Sequence, residues 1–338
     1  REGALRDFEH AATINPKSLA AILGRAKTLN DLGRETEALA VFEDAATLSP
    51  NDIEALFGKS VLLEKAGRTF EAASNYRKIL QIDPAHLPAK INLGVALNKL
   101  RRREEALSIF DHIIAEFPQE ADGHLNRGII LQEMGQADAA IENYDKAISL
   151  RSDLAYAWLN KGVIFHKRDD YSQAEQFYKI AQSSNLTWAE PNYNLGVLSY
   201  DLKRYDDAES YYRNAIAIEP EHIDANFNLA FVYLITGRLA EGWKFFEWRF
   251  KKPSHQGALT IFPDVPIWRG ENLDGKRIML LSEQGFGDSI QFCRYVACLS
   301  DLGAEISLVV PDRLIRLMAG LNGLTVLSNS FINDQKNC

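Results

Sequence analysis

A period of 34 residues runs through the first three-quarters of the chain and dictates most of what it can fold into. Pro16, Pro50, Pro84 and Pro118 stand 34 apart, and the phase returns at Pro220. A small residue keeps the same step, at Ala26, Ser60, Gly94, Gly128, Gly162, Gly196 and Ala230. So does an alanine: Ala4, Ala38, Ala72, Ala106, Ala140, Ala174 and Ala208. Four residues after each alanine comes a ring: Phe8, Phe42, Tyr76, Phe110, Tyr144, Tyr178 and Tyr212. A period of this length is one helix–turn–helix unit, which cannot bury its apolar face alone and must stack on its neighbours. Units begin at Leu19, Ile53, Leu87, Ala121, Ala155, Ala189 and Ile223, and the first residue of each is position 1 below. The small residue (position 8) and the alanine (position 20) let paired helices approach, and the ring (position 24) fills space between neighbouring units. Gly33, Gly67, Gly135 and Gly237 end first helices in a left-handed cap.

Composition narrows the partners. A net charge of −8 argues against nucleic acid or an anionic membrane as the main partner. Arg101, Arg102 and Arg103 fall in a turn and read as solvated. No apolar run approaches the ~18 residues of a membrane helix. Cys293, Cys298 and Cys338 show no metal-ligand spacing, so no metal is expected and a reducing cytoplasm is the simplest setting. The sequon at Asn185 reads as chance. The chain opens halfway through a unit, at Arg1, and reads as a fragment of a longer protein.

Function should lie where packing leaves a face open. Position 6 carries Asn92, Asn126, Asn160, Asn194 and Asn228, five in succession, after Gly24 and Gly58 in the first two units. It lies about 200° around the helix from position 8, away from the helix pair's own core. An asparagine amide both donates and accepts, as a peptide bond does. The ladder is therefore a candidate peptide-binding groove on the concave face of a stack. The competing reading is a solvated feature of the repeat.

After the seventh unit the pattern breaks. Residues 239–252 carry Trp243, Phe246 and Phe250 on one helical face, with Gly242 in place of the alanine, and read as a capping helix rather than an aromatic ligand box. Residues 253–275 read as a linker. From 276 the pattern is α/β: a strand over 277–282, a turn at 283–288, a helix over 289–302, a strand over 306–310, a helix over 312–321 and a third strand over 324–327. This is the start of a parallel, Rossmann-like sheet. Glu283, Gln284, Gly285 and Gly287 in the turn form a candidate anion or ligand site at a helix start. Ile290 stands where the dinucleotide fingerprint has its third glycine, and no phosphate-binding Gly-Lys-Ser/Thr is present. Asp288 reads either as a helix cap or as a general base.

The 34-residue pattern is that of the tetratricopeptide repeat (TPR), so residues 1–252 are expected to form a right-handed α-solenoid. The strings Glu241-Gly-Trp, Glu247-Trp-Arg, Pro266-Ile-Trp-Arg-Gly and Glu283-Gln-Gly-Phe-Gly-Asp-Ser-Ile-Gln-Phe-Cys-Arg-Tyr resemble bacterial proteins in which TPR repeats precede a glycosyltransferase-like domain. That domain is similar to the heptosyltransferases, of the two-domain GT-B fold. The layout is more distantly similar to O-GlcNAc transferase. The resemblance implies that Gly287-Asp288 carries the acceptor-side base, and that a nucleotide-sugar donor binds in a longer protein. Residues 276–338 hold only an incomplete first half of such a domain, so no cofactor and no transfer are expected of this stretch alone. The expected function is a protein- or peptide-binding TPR scaffold of a glycosyltransferase-like protein. The alternative is a plain interaction scaffold without a catalytic role.

Overall fold

The structure, a computed structural model, describes residues 1–252, 265–282 and 285–330. It divides into two compact units, Arg1–Glu219 and Pro220–Cys338.

In the first unit the helix pairs keep the 34-residue step. First helices span Leu19–Asp31, Ile53–Lys65, Leu87–Lys99, Ala121–Glu133, Ala155–Lys167 and Glu190–Asp201. Second helices span Glu35–Leu48, Thr69–Ile82, Arg103–Glu116, Ala137–Leu150, Tyr171–Ser184 and Tyr205–Ile218, with Glu2–Ile14 ahead of them all. Several starts are capped by a side chain, as where Asp52 Oδ1 accepts from the Ala55 N–H at 2.8 Å. The sixth repeat's first helix begins one residue later than its period requires, because Ala189 serves as the N-cap and Pro191 sits in the first turn. The turn between paired helices needs a left-handed residue. Gly33, Gly67 and Gly135 supply it at φ of 75°, 75° and 79°. Arg101, Asp169 and Lys203 adopt it at 62°, 60° and 59°, at a cost of roughly 1 kcal/mol each. The arginine triplet is consumed in ion pairs: Arg102 grips Glu105 at 2.5 and 2.7 Å, and Arg103 reaches Glu133 of the next repeat at 3.2 Å.

Position 20 is fully buried from Ala38 through Ala208. The position-24 rings do more than fill a gap between repeats, because each also packs on its own first helix. A Cβ at Gly94 would lie 2.6 Å from Phe110 of the same repeat, whereas a Cβ at Gly58 would lie 2.4 Å from Phe42 of the preceding one. Each ring is thus wedged between position 8 of its own repeat and position 6 of the next. Charge reinforces the stacking. Position 25 of one repeat pairs with position 7 of the next in Asp111–Arg127 at 2.7 Å and Asp145–Lys161 at 2.6 Å. Where position 7 is Leu93 or Leu195, the partner position holds Arg77 or Lys179, so the acid disappears along with its base.

In the second unit Ile223–Ile235 pairs with Leu239–Phe246, which gives way to a 3-10 turn over Glu247–Lys251. The expected helix over 239–252 therefore ends six residues early. Gly242 is required there, since a Cβ would meet the Leu234 side chain at 2.7 Å. Strands β1 (Arg277–Leu281), β2 (Glu305–Val310) and β3 (Leu324–Ser328) form one parallel sheet in the order β1-β2-β3. Ile306, Leu308 and Val310 on one face pack with Val296, Leu314 and Met318. The expected helix over 289–302 is two helices, Phe286–Phe292 and Tyr295–Asp301. Cys293 Sγ and Arg294 Nε donate to the carbonyls of Ile290 and Gln291, which a continuous helix would use for its own ladder. The expected helix over 312–321 shrinks to Ile315–Met318 after a 3-10 turn, stopped by the glycines at 320 and 323.

Candidate functional site: the position-6 face

All five ladder asparagines are half-buried. Neighbouring positions 8 and 10 are buried against the core, which leaves position 6 on the helix's outer edge. The amides are partly committed to the fold. Asn126 Nδ2 donates to the Asp122 carbonyl at 2.8 Å, and Asn194 Nδ2 donates to the Glu190 carbonyl at 2.9 Å. A carbonyl only accepts, so this bond fixes the amide's orientation. One N–H and the Oδ1 acceptor of each remain for an outside group. Asn92 instead donates to the hydroxyl of Tyr76 at 3.3 Å.

Beneath this face lies a second polar row that sequence reasoning missed, at position 12. Tyr144 donates its hydroxyl to Gln132 Oε1 at 2.8 Å, and Tyr178 meets His166 Nδ1 at 3.4 Å. Burial pushes the phenols of Tyr76, Tyr144 and Tyr178 well above their usual range, so they stay protonated and can donate. In repeats 1 and 3 the ring is Phe42 or Phe110, which has no hydroxyl. There the buried Oδ1 atoms of Asn30 and Asn98 have no hydrogen-bond partner, nor has Glu64 Oε1 in repeat 2. Lys99 Nζ stands 3.6 Å from that oxygen, close enough for an ion pair and too far for a hydrogen bond. Burial raises the Glu64 pKa, and Lys99 only partly opposes it. The signal available in the sequence was that Asn stands at position 12 where the ring is Phe (Asn30, Asn98), and a larger side chain where it is Tyr (Glu64, Gln132, His166, Tyr200).

The α/β turn is only partly described, since Glu283 and Gln284 lie outside the described residues. Gly285 is the N-cap of Phe286–Phe292 in ordinary extended backbone. A Cβ at Gly285 or Gly287 would meet nothing within 4 Å, so crowding by this chain does not demand either glycine. Asp288 is exposed and lies in the helix's first turn, not at its cap, because the helix begins two residues before it. Among the described residues no group of three or more His, Cys, Asp or Glu could hold a metal ion, and no helix is long and apolar enough to cross a membrane.

Comparison with known proteins agrees with the repeats. Tetratricopeptide-repeat family models match residues 63–125 and 199–245, 128–169, and 20–52. Protein FlbA of Caulobacter vibrioides is 36% identical over 91 residues, which is 26% of this chain and 15% of FlbA. This chain thus spans a small part of that relative. A tetratricopeptide repeat protein of Parabacteroides merdae superposes with a TM-score of 0.62 at 16% identity, covering 68% of this chain and 91% of that one. The Cut9–Hcn1 complex of the APC/C gives 0.57 at 18% identity, over 77% and 50%. At these identities the likeness is one of fold. Period, helix pairing and family models agree: the chain is a tetratricopeptide-repeat protein.

Proposed function

We propose that the position-6 face holds an extended segment of a protein partner by its backbone. The observation that carries this is the half-buried asparagine kept in one phase over five repeats, with acceptor and donor capacity left over at Asn126 and Asn194. Each amide–peptide bond contributes about 0.5–1.5 kcal/mol net, so useful affinity needs several. The triple variant N126A/N160A/N194A is expected to weaken a peptide selected by phage display on the wild-type chain by at least about tenfold. Helicity and melting should stay nearly unchanged. Unaltered affinity would remove the ladder from the account.

We further propose that the parallel three-stranded sheet begins a Rossmann-like half of a glycosyltransferase domain, with a linker before it over 253–275 and a cytoplasmic setting. The support is the quoted string after β1 and an exposed Asp288 in the first turn of the helix that follows it. In a longer protein containing this chain, Asp288→Ala should lower sugar turnover far more than it weakens nucleotide-sugar binding. Wild-type turnover would leave a plain interaction scaffold as the better reading.

A further inference from the structure

The asparagine ladder has a companion row. Position 9, about one turn further along each first helix, carries Val61, Val95, Ile129, Val163 and Val197, each half-buried. Residues three apart are neighbours on a helix surface. From repeat 3 to repeat 6 every first helix therefore presents one amide and one branched aliphatic group side by side. Val95, Ile129 and Val163 rest against the core beneath and, being half-buried, keep carbon on the open side. Branched side chains are poorer helix formers than leucine or alanine, so helix formation alone does not call for this row.

Charge on the same face is largely neutralised within the fold. At positions 2 and 13 of repeats 3 to 6, Asp122 pairs with Arg151, Lys99 with Glu64 and Glu133 with Arg103, and Asp201 meets His166 at 3.0 Å. Glu190 is partnered as well. Lys167 is exposed and has no ion-pair partner among the described residues. The face therefore offers neutral hydrogen bonding, aliphatic surface and the Lys167 cation.

The first helices of repeats 3 to 6 touch one another in turn. Helices in contact lie about 8–10 Å apart, so both rows step by about 9 Å per repeat. A polyproline-II segment advances about 9.3 Å in one three-residue turn, which brings the same face round again. A β-strand covers a similar distance in three residues but points them to opposite faces. We propose that this face selects a polyproline-II segment with a branched aliphatic residue at every third position and an acidic residue set against Lys167; this rests on the position-6 face being a peptide groove. Each aliphatic side chain packs on one position-9 residue, and the backbone beside it meets the asparagine one turn back.

The test follows fluorescence anisotropy of labelled probes on the full chain, each probe having one three-residue turn for each of repeats 3 to 6. The parent is acetyl-(Val-Pro-Ser)4-amide. One control has the same composition with its valines alternately two and four residues apart, and a second has serine in place of every valine. The parent should bind saturably, the shifted control at least about fivefold more weakly and the serine control at least about tenfold more weakly. Ile129→Ala, Val163→Ala and Val197→Ala together should bring the parent toward the serine control and leave the serine control unchanged. N126A/N160A/N194A should weaken both. Of four probes that each carry one glutamate in place of a serine, at least one should bind severalfold more tightly than the parent at low ionic strength, and Lys167→Gln should remove that gain.

Equal binding of the parent and its shifted control would overturn the three-residue period, a comparison that needs no variant to fold. Unchanged parent binding in the triple alanine variant of position 9, with wild-type helicity, would overturn the role of that row. A glutamate gain absent from all four probes, or one that survives Lys167→Gln, would overturn the acidic residue. A phage-selected peptide that depends on the asparagines while the parent fails to bind would overturn the period and leave the ladder standing. Parent binding that depends on position 9 but not on the asparagines would remove the ladder and leave the aliphatic row.

Discussion

Repeats 1 and 2 keep their glycine at position 6, as Gly24 and Gly58, whereas repeats 3 to 6 keep it at position 8, as Gly94, Gly128, Gly162 and Gly196. The contacts explain the exchange. From Phe42 to Tyr178 each position-24 ring sits between position 8 of its own repeat and position 6 of the next, with a glycine on one side except at Tyr76, whose ring fits between the side chains of Ser60 and Asn92. Phe42 leans toward Gly58 because Ala26 occupies the other side; Phe110 leans toward Gly94, and Asn126 occupies position 6 of the following repeat. Tyr76 is the transition, flanked by Ser60 and Asn92, and it is the ring whose hydroxyl accepts from the ladder. The asparagine ladder thus begins where the glycine moves. Position 6 is under a packing constraint set by the ring of the preceding repeat.

The largest effect should come from breaking this exchange. Gly58→Asn places a Cβ 2.4 Å from the Phe42 ring and should destabilise the chain by about 1–3 kcal/mol. Ala26→Gly alone should cost about 1 kcal/mol through helix propensity. Together the two changes convert repeat 1 and its neighbour to the later arrangement, and the ring can move toward position 26. The double variant should therefore be more stable than the sum of the singles implies, by a coupling of about 1 kcal/mol or more in a denaturant-unfolding cycle. Strict additivity would mean that the two glycines are independent and that the contrast between repeats has another cause.

The repeats were legible because the period is enforced by packing at every turn: Ala at 20 and a ring at 24 leave few alternatives. The ladder's phase was legible for the same reason. What it does with its amides was not, since Asn126 and Asn92 share a position and choose different partners, one a carbonyl four residues back and the other a tyrosine of the previous repeat. The break at Cys293 and Arg294 was also hidden. Hydrophobic spacing there is compatible with one helix, and the side-chain bonds to Ile290 and Gln291 carry no periodic signal. Asp288 was singled out by resemblance, because an exposed carboxylate in a helix's first turn carries no periodic signal.

A smaller contrast separates tyrosine from phenylalanine at position 24. Tyr144→Phe leaves Gln132 Oε1 without its donor and should cost about 1–2 kcal/mol. Phe110→Tyr should do the reverse, supplying a hydroxyl to the unpartnered Asn98 Oδ1 and stabilising repeat 3 by about 0.5–1.5 kcal/mol. Thermal unfolding of both variants reads the two signs. A destabilised Phe110→Tyr would show that the later geometry does not transfer to a repeat with a phenylalanine.

The smallest effect concerns Glu64, which holds position 12 in repeat 2 where repeat 4 has Gln132. Burial raises the Glu64 pKa in the folded chain above that of an ordinary glutamate. The folded state therefore binds the proton more readily than the unfolded one, and the ionised carboxylate opposes folding at pH above the raised value. The opposition fades as pH falls through the raised value and is gone below the ordinary glutamate value, where the group is protonated in both states. Glu64→Gln removes the charge that burial opposes while keeping an acceptor oxygen in the same place. The loss of the 3.6 Å approach of Lys99 takes back part of the gain. The net expectation is a stabilisation of about 0.5 kcal/mol at neutral pH. It should shrink toward zero when the comparison is repeated in acid, below the ordinary glutamate range. A stabilisation that is the same at both pH values would separate it from the ionisation of Glu64, and a destabilised variant at neutral pH would show that the Lys99 pair outweighs the burial of Glu64.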